Sequence, residues 1–153
     1  MDIKELFKIL VKAYYEDNFE TIVDNLLIEQ KENKDTLNKI ISALCGVDSR
    51  DISEEYSREL KAAIFNYISS NKVVIRVKNC TLDCMDAEGK TKCQSNCAFN
   101  AISIDARQCK LYIDKTKCTD CGFCVDACPN NCYMDKVEFL PLIKHLDNKE
   151  SSI

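Results

Sequence analysis

Cysteine spacing restricts the fold of this chain more than any other feature of its sequence. Eleven of the 153 residues are cysteines, and ten of these lie between Cys80 and Cys132. The last group reads C-x2-C-x2-C-x3-C-P and comprises Cys118, Cys121, Cys124, Cys128 and Pro129. This spacing is typical of bacterial-type [4Fe-4S] binding, because three thiolates two residues apart can wrap one cubane on a tight loop. The run therefore predicts an iron–sulfur cluster, with zinc as the residual alternative.

A less regular cysteine group precedes this run. It has the spacing C-x3-C-x8-C-x3-C and comprises Cys80, Cys84, Cys93 and Cys97. Ala98 stands where the regular run has its proline. Taken alone, the group fits a zinc knuckle as well as it fits an iron–sulfur cluster.

The two groups end in the same way, which indicates an internal repeat. Each closes with a C-x3-C pair that a short turn and a strand-like segment follow. Together they supply the eight thiolates that two cubanes need, and in two-cluster ferredoxins the fourth cysteine of the regular run ligates the other cluster. We therefore expect two [4Fe-4S] clusters with crossed ligands. Cys80, Cys84, Cys93 and Cys128 would hold cluster 1, and Cys97, Cys118, Cys121 and Cys124 would hold cluster 2.

Three cysteines remain outside this scheme: Cys45, Cys109 and Cys132. Cys132 takes the place that Ala101 has in the first repeat, so a small buried side chain is expected there. The only histidine, His145, is expected at the surface. One histidine gives no clear catalytic triad, and no glycine-rich phosphate loop is present, so we predict no catalytic residues.

Residues 1–71 differ in composition from the rest of the chain. Their apolar residues recur at helical spacing in four stretches, which predicts four short helices packed as a small bundle. Asp35 is the expected N-cap of the third helix, and Gly46 is expected to end it. Asp51 and Glu54 have capping-box spacing at the start of the fourth.

Residues 72–140 form the predicted cluster domain. Its β-branched segment 73–77 predicts a strand, the alternating segments 101–105 and 110–114 predict a hairpin, and residues 133–139 predict a last strand. Residues 141–153 begin at Pro141 and are predicted to be a tail or a linker. The predicted fold class is α+β, with a helical domain followed by a two-cluster ferredoxin-like domain.

Net charge and hydropathy limit the classes of partner that we expect. The net charge is −4 and the sequence pI is about 5.1. Nucleic acid and anionic membranes need clustered Lys and Arg, so neither is an expected partner. The chain is charged from Asp2 onward and shows no signal-peptide core or membrane-spanning run, so we expect a cytoplasmic protein.

Residues 70–146 resemble the N-terminal ferredoxin-like part of the large subunit of [FeFe]-hydrogenases. The resemblance rests on EGKTKCQ at residues 88–94, CAFNAI at 97–102, the cysteine run at 118–129 and DKVEFLPL at 135–142. The stretch LFKILVKAYY at residues 6–15 is also similar. In that family this region relays electrons between an external carrier and a catalytic domain that has its own cysteine motifs.

The resemblance implies a relay module rather than an enzyme in its own right. Its expected partner is a redox protein or a catalytic hydrogenase-like domain. The alternative is an iron–sulfur redox sensor or regulatory protein-binding module, in which the loop of residues 85–92 exposes the first cluster.

Overall fold

The fold combines helices with two small antiparallel sheets, which confirms the predicted α+β class. A computed structural model describes residues 2–49, 52–67, 73–105, 107–108 and 110–147. The helices are α1 (Ile3–Tyr15), α2 (Phe19–Glu29), α3 (Lys34–Leu44), α4 (Tyr56–Phe65), α5 (Lys92–Ser95), α6 (Phe123–Ala127) and α7 (Phe139–Asp147), with a 3-10 turn at Lys31–Asn33. The strands are β1 (Val74–Arg76), β2 (Ile102–Asp105), β3 (Lys110–Ile113) and β4 (Tyr133–Asp135).

The chain divides into two compact units. The helical unit takes Met1–Ser69 and Lys136–Ile153, and the cysteine-rich unit takes Ser70–Asp135. The chain therefore leaves the helical unit, builds the cysteine-rich unit and returns. Among the described residues, no helix is long and apolar enough to cross a membrane.

The helical unit is assembled by the apolar faces of its helices. Helix α2 packs on α1, α3 and α4, and the side chains of Leu10, Phe19, Val23, Ile41 and Leu60 are completely buried. Each helix is amphipathic, so burying one face removes apolar surface from water while the charged face stays solvated. Asp35 is not the N-cap of α3, because the 3-10 turn runs directly into that helix and Asn33 precedes its first residue. Asp51 lies outside the described residues.

Helix α7 differs from the sequence prediction. The predicted last strand over 133–139 is shorter in the structure, where β4 ends at Asp135, and residues 139–147 are helical rather than a tail. Pro141 is the third residue of α7, where the missing amide costs no hydrogen bond, so this proline does not interrupt the helix. Helix α7 packs on α4 and belongs to the helical unit.

The turn after α3 packs closely against the segment by which the chain returns to the helical unit. Gly46 has φ +74, and a Cβ there would lie 2.9 Å from Val137 O and 3.0 Å from Glu138 Cα. The Val137 amide donates to Ala43 O at 2.8 Å. Only glycine combines this positive φ with so close an approach of two backbones. Gly46 does follow the end of α3, as predicted.

The cysteine-rich unit contains two separate two-stranded sheets. Strand β1 pairs with β4, so that Ile75 lies opposite Met134. Strand β2 pairs with β3, and Ser103 lies opposite Tyr112, as the predicted hairpin requires. Its interior consists of apolar side chains and sulfur atoms from residues Val74, Cys80, Cys93, Ile102, Leu111, Cys128, Cys132 and Tyr133. Cysteine thus takes the place that branched aliphatic residues have in an ordinary core.

Candidate metal centre

Local backbone geometry brings three of the four cysteines of the regular run together, namely Cys118, Cys121 and Cys124. The Cys118 amide donates to Asp114 O at 2.9 Å, which closes a turn before the run. Asp120 and Gly122 follow with φ of +55 and +78, and Gly122 is the N-cap of α6. These two left-handed residues turn the chain, and Cys124 on α6 lines the same cavity as Cys118.

One cavity receives all four cysteines that the sequence assigns to cluster 2. Its walls are almost entirely carbon and sulfur. Its lining includes Cys97, Cys118, Cys121 and Cys124, together with Val74, Phe99, Ile102, Ile113 and Phe123. Cys97 comes from the first cysteine group, and the structure places it among the three cysteines of the second.

The cysteines assigned to cluster 1 lie largely in the core of the unit. Cys80, Cys93 and Cys128 are buried, and Cys84 is half-buried. Burial raises the pKa of the Cys93 thiol, and the neighbouring Cys128 and Cys84 thiols raise it further. Cys93 is therefore close enough to both for their charges to interact.

A buried threonine fixes the position of Cys93. Thr91 and Gln94 form a capping box at the start of α5, in which the Thr91 amide donates to Gln94 Oε1 at 3.0 Å. The Thr91 hydroxyl lies 3.2 Å from Cys93 Sγ. The T-x-x-Q spacing was visible in the sequence as a capping box. The contact of Thr91 with Cys93, a predicted ligand, was not visible in the sequence.

Main-chain amides point at three of the sulfur atoms. The amides of Leu82, Ala101 and Cys132 donate to the Sγ atoms of Cys80, Cys97 and Cys128, each at 3.3 Å. Such bonds stabilise a thiolate and, in an iron–sulfur site, shift its reduction potential. They are the kind of support that a ligating thiolate needs.

The internal repeat is visible in the backbone. Asn100 and Asn131, each three residues after the last cysteine of its group, have φ of +49 and +48. Leu82 and Asp120, each two residues after the first cysteine, have φ of +62 and +55. Equivalent positions of the two groups therefore adopt the same unusual conformations, although the first group carries a longer loop.

Tyr133 lies between the two groups. Its hydroxyl is 3.9 Å from Cys93 Sγ, and its ring is buried. Burial raises its pKa, and the charges of Cys93, Cys124 and Cys128 add to the effect. Helices α5 and α6, which carry Cys93 and Cys124, pack together. Burial likewise raises the pKa of Cys124 to about 11, with smaller contributions from neighbouring thiols that include Cys118 and Cys93.

The remaining cysteines have different surroundings. Cys132 is completely buried, and burial raises its pKa to about 12, helped by the neighbouring Cys128 thiol. Cys45 is buried in the helical unit, where burial raises the pKa of its thiol. Cys109 lies outside the described residues, and so does the side chain of His145, whose backbone belongs to α7.

The spacing of these groups is wider than a single ion requires. Within the described residues, no three His, Cys, Asp or Glu side chains converge closely enough to hold a metal ion directly. The four cysteines of the cavity surround a space rather than a point. Its donor set of four sulfurs and its apolar walls fit an iron–sulfur cluster.

Comparison with known proteins supports this assignment for the second cysteine group. Residues 111–134 match the family model of the 4Fe-4S binding domain. No curated protein and no solved structure matches the chain. The matched segment includes Cys118, Cys121, Cys124 and Cys128, but not Cys80–Cys97. The chain therefore contains a [4Fe-4S]-binding segment at residues 111–134, of the kind that serves iron–sulfur electron transfer.

Proposed function

We propose that the cysteine-rich unit holds two [4Fe-4S] clusters and passes single electrons between partners, as the relay module of a hydrogenase-like oxidoreductase. The observation that carries the proposal is the cavity in which Cys97 joins Cys118, Cys121 and Cys124. A cysteine from the irregular group among those of the regular run is what crossed ligation requires.

The ligand assignment follows from this sharing of cysteines between the two groups. Cys97, Cys118, Cys121 and Cys124 would hold cluster 2, and Cys80, Cys84, Cys93 and Cys128 would hold cluster 1. For cluster 1, the support is the shared burial of Cys80, Cys93 and Cys128 and the electrostatic coupling of Cys93 to Cys84 and Cys128.

The residues of the chain contribute insulation and fixed dipoles. When bound, the clusters supply one-electron chemistry with little change in geometry. The apolar walls around Cys97 exclude water, and the amides of Leu82, Ala101 and Cys132 stabilise thiolate charge. These contributions require no catalytic side chain, and we propose that the chain is an electron-transfer module rather than an enzyme on its own.

One edge of the cavity offers a contact for a redox partner. Cys121 is exposed, and the flanking Phe99 and Phe123 are 47% and 56% exposed. Aromatic side chains at a partner surface exclude water from the contact. A redox protein or a catalytic hydrogenase-like domain that docks here would approach cluster 2 before cluster 1.

The test is a count of iron and acid-labile sulfide per chain in protein purified without oxygen, with EPR spectra after chemical reduction. We expect about eight irons and the spectrum of two magnetically coupled reduced clusters. Both clusters should be reoxidised without loss of iron. About four irons would refute the two-cluster relay. Irreversible loss of iron on first reduction would favour the sensor instead.

The proposed role as the relay module of a hydrogenase-like oxidoreductase needs a separate experiment. The chain, loaded with iron, should accelerate electron delivery from a reduced carrier protein to the catalytic domain of an [FeFe]-hydrogenase from which the ferredoxin-like region has been removed. The Phe99→Ser/Phe123→Ser double variant should keep its iron but transfer electrons more slowly. No acceleration by the loaded wild-type chain would remove the hydrogenase-like part of the proposal.

A further inference from the structure

We propose that Thr91 and Asp120 are a pair of tuning residues that shift the reduction potentials of the two clusters in opposite directions. The Thr91 hydroxyl raises the potential of the cluster held through Cys93. The Asp120 carboxylate lowers the potential of the cluster held through Cys118. This inference rests on the proposed two-cluster function and deepens it.

Thr91 is placed to donate to a ligand. Its side chain is completely buried, and Oγ1 lies 3.2 Å from Cys93 Sγ and 3.1 Å from Gln94 Oε1. Gln94 Oε1 already accepts the Thr91 amide. With Cys93 as a thiol, the Thr91 hydroxyl donates to Gln94 Oε1. A ligating thiolate has no proton and is the stronger acceptor, so the hydroxyl donates to it instead in a charge-assisted bond. Such a bond favours the more negative, reduced state and raises the potential.

Asp120 has the opposite effect on the other site. Its Oδ1 lies 3.8 Å from Cys118 Sγ. The Val73 and Val74 amides donate to the same oxygen at 3.1 Å each, which fixes the carboxylate in this place. A fixed negative charge beside a thiolate ligand opposes the arrival of an electron and lowers the potential.

The charged side chains of the groove beside Cys84 balance one another. The groove next to Cys84 carries Lys90 and Lys92, but also Asp83 and Asp86. The formal charges of this groove therefore cancel. The Thr91 hydroxyl remains as the distinctive polar contact of Cys93, with the Tyr133 hydroxyl at 3.9 Å as a weaker second donor.

The difference in burial explains why the two clusters need opposite shifts in reduction potential. Cys93 and Cys128 are 3% and 7% exposed, whereas Cys121 is exposed. A buried site resists added negative charge, so burial alone would make cluster 1 the harder one to reduce. Thr91 and Asp120 both act against that difference. They bring the potentials together, so that an electron entering beside Cys121 can continue to the buried site.

The transfer is a one-electron exchange. A low-potential carrier protein is oxidised by one electron at the site of Cys121, and that electron then reduces the site of Cys93. No bond forms or breaks and no proton is required. Thr91 and Asp120 are positioning residues in this exchange, since they act through the thiolates of Cys93 and Cys118.

The experiment is an EPR-monitored redox titration of the full, iron-loaded chain. Thr91→Val should move one midpoint potential downward, with about a tenfold change in the reduced-to-oxidised ratio, or about 59 mV for a one-electron couple. Asp120→Asn keeps an acceptor for the two valine amides and should move the other potential upward. Thr91→Ser keeps the hydroxyl and should leave both potentials in place.

The outcomes separate this inference from the proposed function. Wild-type protein with about four irons and one reducible cluster overturns both. Two clusters whose potentials do not move, or that move together in either variant, overturn the tuning pair alone. If Thr91→Val does not load iron, Thr91→Ala removes the same hydroxyl without the added methyl groups, and its titration decides.

Discussion

The main-chain amide of Cys132 donates to Sγ of Cys128 at 3.3 Å, just as the amide of Ala101 donates to Sγ of Cys97. Cys132 thus contacts the Cys128 Sγ through its backbone amide, while its own Sγ lies 3.6 Å from Asn79 O. Because alanine performs the same task in the first repeat, we predict that cluster binding does not need the Cys132 thiol.

We therefore expect Cys132→Ala to retain full iron and sulfide content. The cost should be limited to about 1 kcal/mol of stability from the small void it leaves. Iron analysis and a thermal melt of the anaerobic protein measure both. A variant that keeps only half of the iron would identify Cys132 as a ligand.

Crossed ligation predicts which cysteine variants resemble one another. Cys128→Ser should give the same residual EPR spectrum as Cys84→Ser, because both variants would remove a ligand that crossed ligation assigns to cluster 1. Cys97→Ser should match Cys121→Ser, since both cysteines line the cavity assigned to cluster 2. If Cys128→Ser instead matched Cys121→Ser, each cysteine run would hold its own cluster.

The contact between Gly46 and the returning chain predicts a large effect of a single methyl group. Gly46→Ala combines a positive φ with a Cβ 2.9 Å from Val137 O, and we expect a loss of about 2–5 kcal/mol. Urea unfolding followed by helical circular dichroism measures it. Gly89→Ala is the control, because Gly89 has φ +78 with no atom within 4 Å of the added Cβ. It should leave the helical transition nearly unchanged.

A buried ammonium group pairs with a carboxylate at the surface of the helical unit. The side chain of Lys136 is 1% exposed, and its Nζ lies 2.6 Å from Asp48 Oδ1. Asp48→Asn leaves the buried charge without this partner and should cost about 1–3 kcal/mol. Lys136→Met removes the charge and its desolvation together, so it should cost less.

A double-mutant cycle checks the origin of that cost. In the Lys136→Met background, Asp48→Asn should have almost no further effect on the urea midpoint, because Asp48 is 71% exposed and its bond to Lys136 is already lost. A full additional loss would show that Asp48 stabilises the unit in some other way.

The spacing of apolar residues in the sequence predicted the helices and strands whose buried faces depend on that spacing. The apolar spacing of α1 and α2 placed Leu6, Leu10 and Val23 on buried faces, as the structure has them. Residues 102–105 and 110–113 form the predicted hairpin for the same reason, since alternation specifies one face of a strand.

Features that depend on distant neighbours could not be predicted from these patterns. Pro141 suggested an end to regular structure, but at the third position of a helix it costs no hydrogen bond. Lys136 would be expected in solvent, and only the fold reveals the partner that compensates its burial. Cysteine spacing predicted the members of the cavity. It could not predict that Thr91 and Asp120 lie beside their ligands, because those contacts depend on a capping box and a left-handed turn.

The insertion of Ser70–Asp135 between two parts of the helical unit links iron binding to the stability of the helices. While the cysteine-rich unit is folded, its two ends are held in fixed positions, and α7 docks on α4 without having to search for it. We expect the same segment to become a long flexible loop without iron, and closing such a loop costs about 4 kcal/mol of chain entropy by the logarithmic dependence on loop length. Loss of the clusters would then loosen α7 in a unit that carries none of their ligands.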